Sequence, residues 1–209
     1  MAGPRGQALN DRGTMSTAAT ATLDRYESPS VATGRMGMWW VLASEIVIFG
    51  GAVVCYLLYR WHHPEWAESA VHTNELIGVI NTVVLLTSSL TIVLAHDAAH
   101  HGDAARAKRL MGFTILLGLA FLCFKAYEYS HEVAAGFTPV KNLFWSFYYF
   151  LTGLHALHIV AGLIAIATVM RGVGRRENMQ RVEYVGIYWH FVDVVWIFLF
   201  PLLYLAPKF

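Results

Sequence analysis

The stretch YWHFVDVVWIFLF, residues 188–200, decides the fold class of this chain. It is apolar and aromatic throughout, apart from His190 and Asp193, which stand three positions apart. Extended to about residues 184–206, the run has the roughly 20 apolar residues that a helix needs to cross a bilayer. An acid and an imidazole inside such a helix are costly in lipid, so we expect both to face protein or a water-filled cavity.

Four further apolar runs precede it, at about 36–59, 76–95, 110–128 and 143–170. Of the 209 residues, 56% are hydrophobic and only 14% are charged, whereas about a quarter of the residues of a soluble domain are charged. None of the runs alternates polar with apolar residues, as the strands of a membrane barrel do. The sequence therefore predicts an all-α, polytopic membrane protein, a five-transmembrane-helix bundle over residues 35–209. Residues 1–34 are small and polar and contain no apolar run of signal-peptide length, so we expect a mobile N-terminal tail.

Basic residues are distributed unevenly between the two predicted sides of the membrane. Eleven lie in the tail, the second loop and the fourth loop: Arg5, Arg12, Arg25, Arg35, Arg106, Lys108, Arg109, Arg171, Arg175, Arg176 and Arg181. Only Arg60, Lys141 and Lys208 lie on the other side. The positive-inside rule therefore predicts a cytoplasmic N-terminus and a C-terminus outside. The net charge of +1 gives no indication of nucleic-acid binding.

Ionisable residues within the spans are the candidate functional residues, because a central Asp or Lys costs about 2.5–3.5 kcal/mol on insertion scales. They are Glu45, Lys125, Glu128, His155, His158, His190 and Asp193, with His96 at the end of the second span. Lys125 and Glu128 are three residues apart, as are His190 and Asp193, so each pair can approach on one helix face.

The deep histidines and the first-span acid leave alternatives open. His155 and His158 share a helix face, as a copper, zinc or haem site would require, but they can equally hydrogen-bond neighbouring helices. Glu45 is either a group that relays protons or a structural acid. Cys55 and Cys123 lie in predicted spans without a metal-ligand spacing, so we interpret them as small apolar fillers.

Several segments together resemble subunit III of haem–copper terminal oxidases, the cytochrome c oxidase subunit 3 family. In family order they are LASEIVIFGG (42–51) with Glu45, NTVVLLTSSLTIVLAHDA (81–98) with Asn81, Thr82 and His96, KAYEYSHE (125–132) with Glu128, FLTGLHALHIVAG (150–162) with His155 and His158, and the stretch 188–200. The resemblance covers about residues 35–206. Long members of the family have seven helices, and this chain resembles the last five, as short bacterial members do.

The resemblance implies a non-catalytic subunit III of a proton-pumping cytochrome c oxidase in a bacterial cell membrane. Haem and copper would then belong to partner subunits, and this chain would bind no metal or cofactor of its own. The implied partners are subunit I above all, subunit II, small subunits, structural phospholipid and, through the complex, cytochrome c. In the family the intramembrane polar residues support helix packing and phospholipid head groups, which favours that interpretation of His155 and His158.

The resemblance also implies that the chain stabilises subunit I and supports proton uptake, for which Glu45 and His96 lie toward the cytoplasmic side of the predicted topology. A quinol oxidase or a nitric oxide reductase cluster is the alternative complex, because other subunits recognise the electron donor. A stand-alone membrane transporter is the alternative from another class. The two halves of the chain show no internal repeat, and no proline lies deep in a span, which disfavours the transporter.

Overall fold

The computed structural model describes residues 29–173 and 179–205, and these form an all-helical protein. Five long helices follow one another: α1 (Pro29–His62), α2 (Glu75–His100), α3 (Ala104–Ala134), α4 (Leu143–Gly172) and α5 (Met179–Phe200). A short helix, Trp66–Ala70, lies between α1 and α2, and one π-helical turn, Pro201–Leu205, continues α5. The described residues contain no strand, which confirms the predicted fold class.

All five predicted spans correspond to helices long and apolar enough to cross a membrane. These are Gly34–His62, Glu75–His100, Ala104–Ala134, Leu143–Gly172 and Arg181–Leu205. Most extend a few residues beyond the predicted apolar runs, because polar residues continue the helices after the apolar sequence has ended. Most of the predicted tail, residues 1–28, lies outside the described residues; α1 begins at Pro29. The orientation of the termini stays a prediction.

The chain divides into two compact units, Met1–Val41 and Leu42–Phe209. The described part of the first unit is the N-terminal portion of α1. The second unit contains the rest of α1 and all of the other helices, and the packing described below belongs to it. Within it, we name the end of the bundle at the short helix Trp66–Ala70 the short-helix end, and the end at the turn between α2 and α3 the Gly102 end.

Two glycines end helices in the second unit. Gly102 and Gly136 have φ of +82° and +83°, a conformation that favours glycine. After α3, the N–H of Gly136 donates to the carbonyl of Val133 and the N–H of Phe137 to that of Glu132, which is the Schellman arrangement. The turn at Gly102 repeats this pattern, and Asp103 then begins α3 by accepting from the N–H of Arg106 at 2.9 Å. The tight turn at Gly102 places α2 and α3 side by side.

Trp189 is the point where four helices meet. Its side chain is completely buried on α5, and its Nε1 donates to the Ser88 hydroxyl of α2 at 3.0 Å. Its ring packs directly on the backbone of two glycines, Gly118 of α3 and Gly162 of α4. Small residues at helix contacts let backbones approach closely in membranes, where dispersion and hydrogen bonding drive association instead of the hydrophobic effect.

We expect Gly162→Ala to destabilise the bundle by about 1–3 kcal/mol, the usual cost of overpacking a filled core. A Cβ at this position would lie 2.8 Å from Cε3 of Trp189 and 3.3 Å from Cε1 of Tyr188. The matched control is Gly153→Ala on the same helix, where the nearest atom would be the Tyr129 hydroxyl at 3.9 Å. Thermal melts of the detergent-purified protein measure both; equal melting temperatures would contradict the packing described for Trp189.

Helix α1 contacts the bundle of the second unit along one stripe. Leu42, Phe49 and Tyr56, each seven residues from the next, are buried, and the Tyr56 hydroxyl donates to the carbonyl of Leu202 in the π-helical turn at 3.2 Å. The Tyr56 ring also packs against Trp66 of the short helix and Phe147 of α4. The remaining faces of α1 carry exposed apolar side chains such as Val47, as expected for a helix that meets lipid or a partner.

Candidate functional site

The most deeply buried polar cluster lies toward the short-helix end of the bundle. It consists of Lys125 and Glu128 of α3, Tyr148 of α4 and Tyr204 of the π-helical turn, and we name these four residues the Lys125 network. Their exposed fractions are 2%, 1%, 0% and 0%. Three separate segments therefore contribute to one cluster, and the C-terminal turn is joined by polar contacts to the middle of the chain.

The hydrogen bonds of the Lys125 network form a closed set. Lys125 Nζ donates to Glu128 Oε2 at 2.9 Å, to the Tyr204 hydroxyl at 2.8 Å and to the Tyr148 hydroxyl at 3.2 Å. Both tyrosine hydroxyls donate to Glu128 Oε1 at 2.8 Å. All three ammonium protons thus have acceptors, and both carboxylate oxygens accept hydrogen bonds. A fully satisfied buried network of this kind stiffens and specifies a core.

Aromatic rings surround the ammonium group of Lys125. Its Nζ lies 4.9 Å from the ring centroid of Tyr129, 5.0 Å from that of Tyr148, 5.5 Å from that of Tyr204 and 5.7 Å from that of Trp196. Cations are attracted to ring faces at these distances. The carboxylate and the rings together compensate the charge of Lys125. The predicted approach of Lys125 and Glu128 is confirmed.

A second polar pair joins α1 to α4 near the middle of the spans. His158 Nε2 lies 2.8 Å from Glu45 Oε2, and Nδ1 lies 2.8 Å from the carbonyl oxygen of Leu154. Because a carbonyl only accepts, Nδ1 carries a proton. One further proton must then lie between Nε2 and the carboxyl group, whichever partner holds it. The side chains are 13% and 17% exposed, so a shared proton keeps a nearly buried pair neutral.

The predicted approach of His190 to Asp193 is wrong. His190 Nδ1 instead lies 2.5 Å from the Ser89 hydroxyl of α2. Neither carboxyl oxygen of Asp193 makes a hydrogen bond within the described residues, although the Ser89 hydroxyl is near enough to interact with it. The physical reason is the packing of α5 against α2, which brings the Ser89 hydroxyl to the His190 ring.

The two histidines of α4 occupy different surroundings. His155 is fully buried, with its ring centroid 5.4 Å from Phe121 and 5.2 Å from Trp196, and neither of its nitrogens makes a hydrogen bond in the described part of the chain. His158, by contrast, faces α1. Over residues 29–173 and 179–205, no group of three or more His, Cys, Asp or Glu side chains is placed to hold a metal ion.

His96, placed by the sequence with Glu45 on one side of the membrane, is half-buried near the end of α2. Among the described residues, Glu45 hydrogen-bonds to His158, and no hydrogen bond joins it to His96. Sequence reasoning missed Tyr148, Tyr204 and the two serines of α2. For the tyrosines, the sequence contained a signal that could have predicted them, because a tyrosine hydroxyl buried within a span needs a hydrogen-bonding partner.

Comparison with known proteins gives consistent results along almost the whole chain. The family model described as cytochrome c oxidase subunit III matches residues 15–207. Cytochrome c oxidase subunit 3 of Corynebacterium diphtheriae is 33% identical over 94% of this chain and 97% of its own length. The Synechocystis protein of the same name is 36% identical over 90% of this chain and 86% of its own length. Cytochrome bo(3) ubiquinol oxidase subunit 3 of Pseudomonas aeruginosa is 35% identical over 81% and 83%.

Proposed function

The chain belongs to the cytochrome c oxidase subunit III family. We propose that, as a subunit of such an oxidoreductase complex, it stabilises subunit I without taking part in the reduction of oxygen. The observation that carries this proposal is the pairing of buried or nearly buried charged side chains at two places, each of which joins separate helices. The charges of the Lys125 network are compensated within the network, and Glu45 is compensated by His158. Such pairs hold helices together, which is what a stabilising subunit requires.

The chemistry of oxygen reduction requires haem and copper, and we assign both to partner subunits. The donor set supports this assignment, because the histidines in the spans lie apart: His158 pairs with Glu45, His190 with Ser89, and His155 lies between aromatic rings. Structural phospholipid is the ligand we propose for this chain. An open apolar recess lined by Leu143, Phe147 and Phe150 lies at the beginning of α4, and its surface suits the acyl chain of a lipid.

We place the N-terminus in the cytoplasm of a bacterial cell and the C-terminus outside its inner membrane. The excess of basic residues at the Gly102 end and in the N-terminal tail supports this orientation. Glu45 and His158 then lie near the middle of the membrane. A carboxyl group and an imidazole that share one proton are suited to influence proton uptake by the complex.

We expect Glu45→Gln to leave the complex assembled and to shorten the time for which it sustains turnover. Glutamine keeps the shape and can still donate to His158 Nε2, but it removes the group that shares a proton. The measurement is oxygen consumption by the purified complex followed over many turnovers. The control is Glu68→Gln, because Glu68 is an exposed carboxylate on the short helix. A progress curve identical to that of the unaltered complex would refute the link to proton uptake.

We propose that cytochrome c is the electron donor of the complex. Relatives named cytochrome c oxidase subunit 3 match over nearly the whole chain, while the similarity to a ubiquinol oxidase subunit keeps quinol as the second candidate. The test is isolation of the tagged chain from its native membranes in mild detergent. The reduced-minus-oxidised optical spectrum of the isolated material is then recorded. Its oxygen consumption is measured with reduced cytochrome c and, separately, with quinol.

Haem a bands with cytochrome c oxidation are the expected result. Haem b or o bands with quinol oxidation would move the subunit to the second candidate complex. A colourless single chain, under conditions in which other respiratory complexes survive, would contradict membership of an oxidase and favour a stand-alone transporter.

A further inference from the structure

Three polar side chains meet where α5 packs against α2, near the middle of both spans. His190 Nδ1 lies 2.5 Å from the Ser89 hydroxyl, and the same hydroxyl is the polar group that interacts with the carboxyl group of Asp193. We name these three residues the Ser89 cluster. Asp193 is 3% exposed, whereas Ser89 and His190 are half-buried, so the cluster extends from the core to the surface of the bundle.

The Ser89 cluster has no charged partner in the part of the chain that the structure describes. The ion pairs within its spans are Lys125 with Glu128 and His158 with Glu45, and neither of them includes Asp193. An isolated charge is costly in an apolar interior and more so in a membrane. The cluster must therefore be neutral as a whole.

Neutrality determines where the protons of the Ser89 cluster lie. A hydroxyl can donate once and also accept, so its contact with Asp193 uses one proton and its contact with His190 Nδ1 uses a second. With these two protons alone, the carboxyl group, the hydroxyl and the imidazole together have a charge of −1. A third proton on the other oxygen of Asp193 would be a fully buried donor without an acceptor. The third proton therefore lies on His190 Nε2, which makes this nitrogen a donor.

His190 Nε2 is open to the surface of the bundle. It makes no hydrogen bond with the described residues, and it is not one of their fully buried atoms without a partner. Within two helical turns of the cluster, exposed apolar side chains lie on both helices: Leu86 and Val93 on α2, and Val194 and Ile197 on α5. We name these four residues and His190 the α2–α5 face. It is an apolar surface with one hydrogen-bond donor near the middle of the membrane.

We propose that the α2–α5 face receives a transmembrane helix of a partner oxidase subunit, and that this helix accepts a hydrogen bond from His190 Nε2. Acyl chains do not fit, because they have no acceptor and the hydrocarbon core offers no water. The acceptor is an uncharged oxygen, such as a hydroxyl, a side-chain amide or a free backbone carbonyl, because a carboxylate would add a buried charge without a counter-charge. The inference rests on the proposed place of the chain in an oxidase complex.

Photo-cross-linking in native membranes tests the surface. Replacing Val194 by p-benzoylphenylalanine places a photoreactive group on the α2–α5 face, one helical turn from His190. After irradiation and purification, we expect mass spectrometry to identify a covalent link to a transmembrane segment of another oxidase subunit; a sample kept in the dark is the control. Reaction with lipid alone, in a complex isolated intact with this chain, would overturn the inference and leave the proposed function standing. If no oxidase subunit accompanies the unaltered chain, the proposed function is wrong and this inference with it.

Two substitutions at His190 separate its outward donor from its inward contact. The amide of His190→Gln reaches the position of Nε2, whereas the amide of His190→Asn reaches only that of Nδ1, beside Ser89. We expect the asparagine variant to dissociate from the complex about three- to tenfold more readily, the range for interhelical hydrogen bonds in membranes, and the glutamine variant to stay near the unaltered protein.

The measurement is the ratio of this chain to subunit I after a fixed detergent wash. Equal retention of both variants, or better retention of the asparagine variant, would refute the outward hydrogen bond, because asparagine preserves only the contact with Ser89. If either variant fails to fold, the cross-link from Val194, which keeps His190 unaltered, decides.

Discussion

Glu128→Gln is expected to destabilise the bundle by about 3–5 kcal/mol, the cost of removing one partner from a buried ion pair. The amide leaves the ammonium group of Lys125, at 2% exposure, without its hydrogen-bonded counter-charge. Glutamine also has only one side-chain oxygen, whereas the glutamate uses one oxygen for Lys125 and the other for the two tyrosine hydroxyls. In either orientation of the amide, at least one of these donors therefore loses its acceptor or must share it. The π-helical turn loses part of its attachment, because Tyr204 holds it to α3.

The measurement is the melting temperature of the purified complex, with retention of this chain on the complex as a second readout. A loss of this size corresponds to a decrease of roughly 10 °C for a chain of this length. The control is Glu68→Gln, an exposed carboxylate on the short helix whose replacement should stay within about 0.5 kcal/mol.

A second variant separates the charge from the packing at this site. The double replacement Lys125→Met with Glu128→Leu removes both charges, so it should be much less harmful than Glu128→Gln alone. Tyr204→Phe, which removes one hydroxyl and keeps the ring, should cost about 1–3 kcal/mol. If Glu128→Gln proved as stable as the unaltered protein, the ion pair would not have the structural role described here.

Trp189→Ala is expected to cost about 3–5 kcal/mol, the range measured for removal of a large aromatic ring from a packed core. The ring fills the space between Gly118 and Gly162, and two glycines cannot fill the cavity it would leave. The Ser88 hydroxyl also loses the donor that approaches at 3.0 Å. Four helices meet at this residue, so we expect loss of cooperative melting as well as a lower melting temperature.

Trp61→Ala is the control, because the Trp61 side chain is 87% exposed at the end of α1. Trp189→Phe adds a graded comparison, since it keeps a ring and removes the donor to Ser88. Melts of the three variants in the same detergent distinguish packing from hydrogen bonding. Equal effects of Trp189→Ala and Trp61→Ala would contradict the central position of Trp189.

The amino-acid sequence by itself determined the helices of this protein. Runs of about 20 apolar residues require hydrogen bonding within the segment, so their number and approximate bounds follow from length and composition. It also determined local geometry: residues three apart on one helix meet, as Lys125 and Glu128 do. The order of segments such as LASEIVIFGG identified the family, which the comparisons confirm.

The tertiary structure alone decided which polar groups meet across helices. Glu45 and His158 are 113 residues apart, and Lys125 and Tyr204 are 79 apart, so no local spacing connects them. The same is true of His190, which bonds to Ser89 although Asp193 is closer in sequence. The physical reason is the solvent. Lipid and the protein interior are both apolar, so the apolar residues of a helix do not determine which of its faces turns toward the protein. Its rotation is fixed by the glycines, rings and hydrogen bonds of the helices against which it packs.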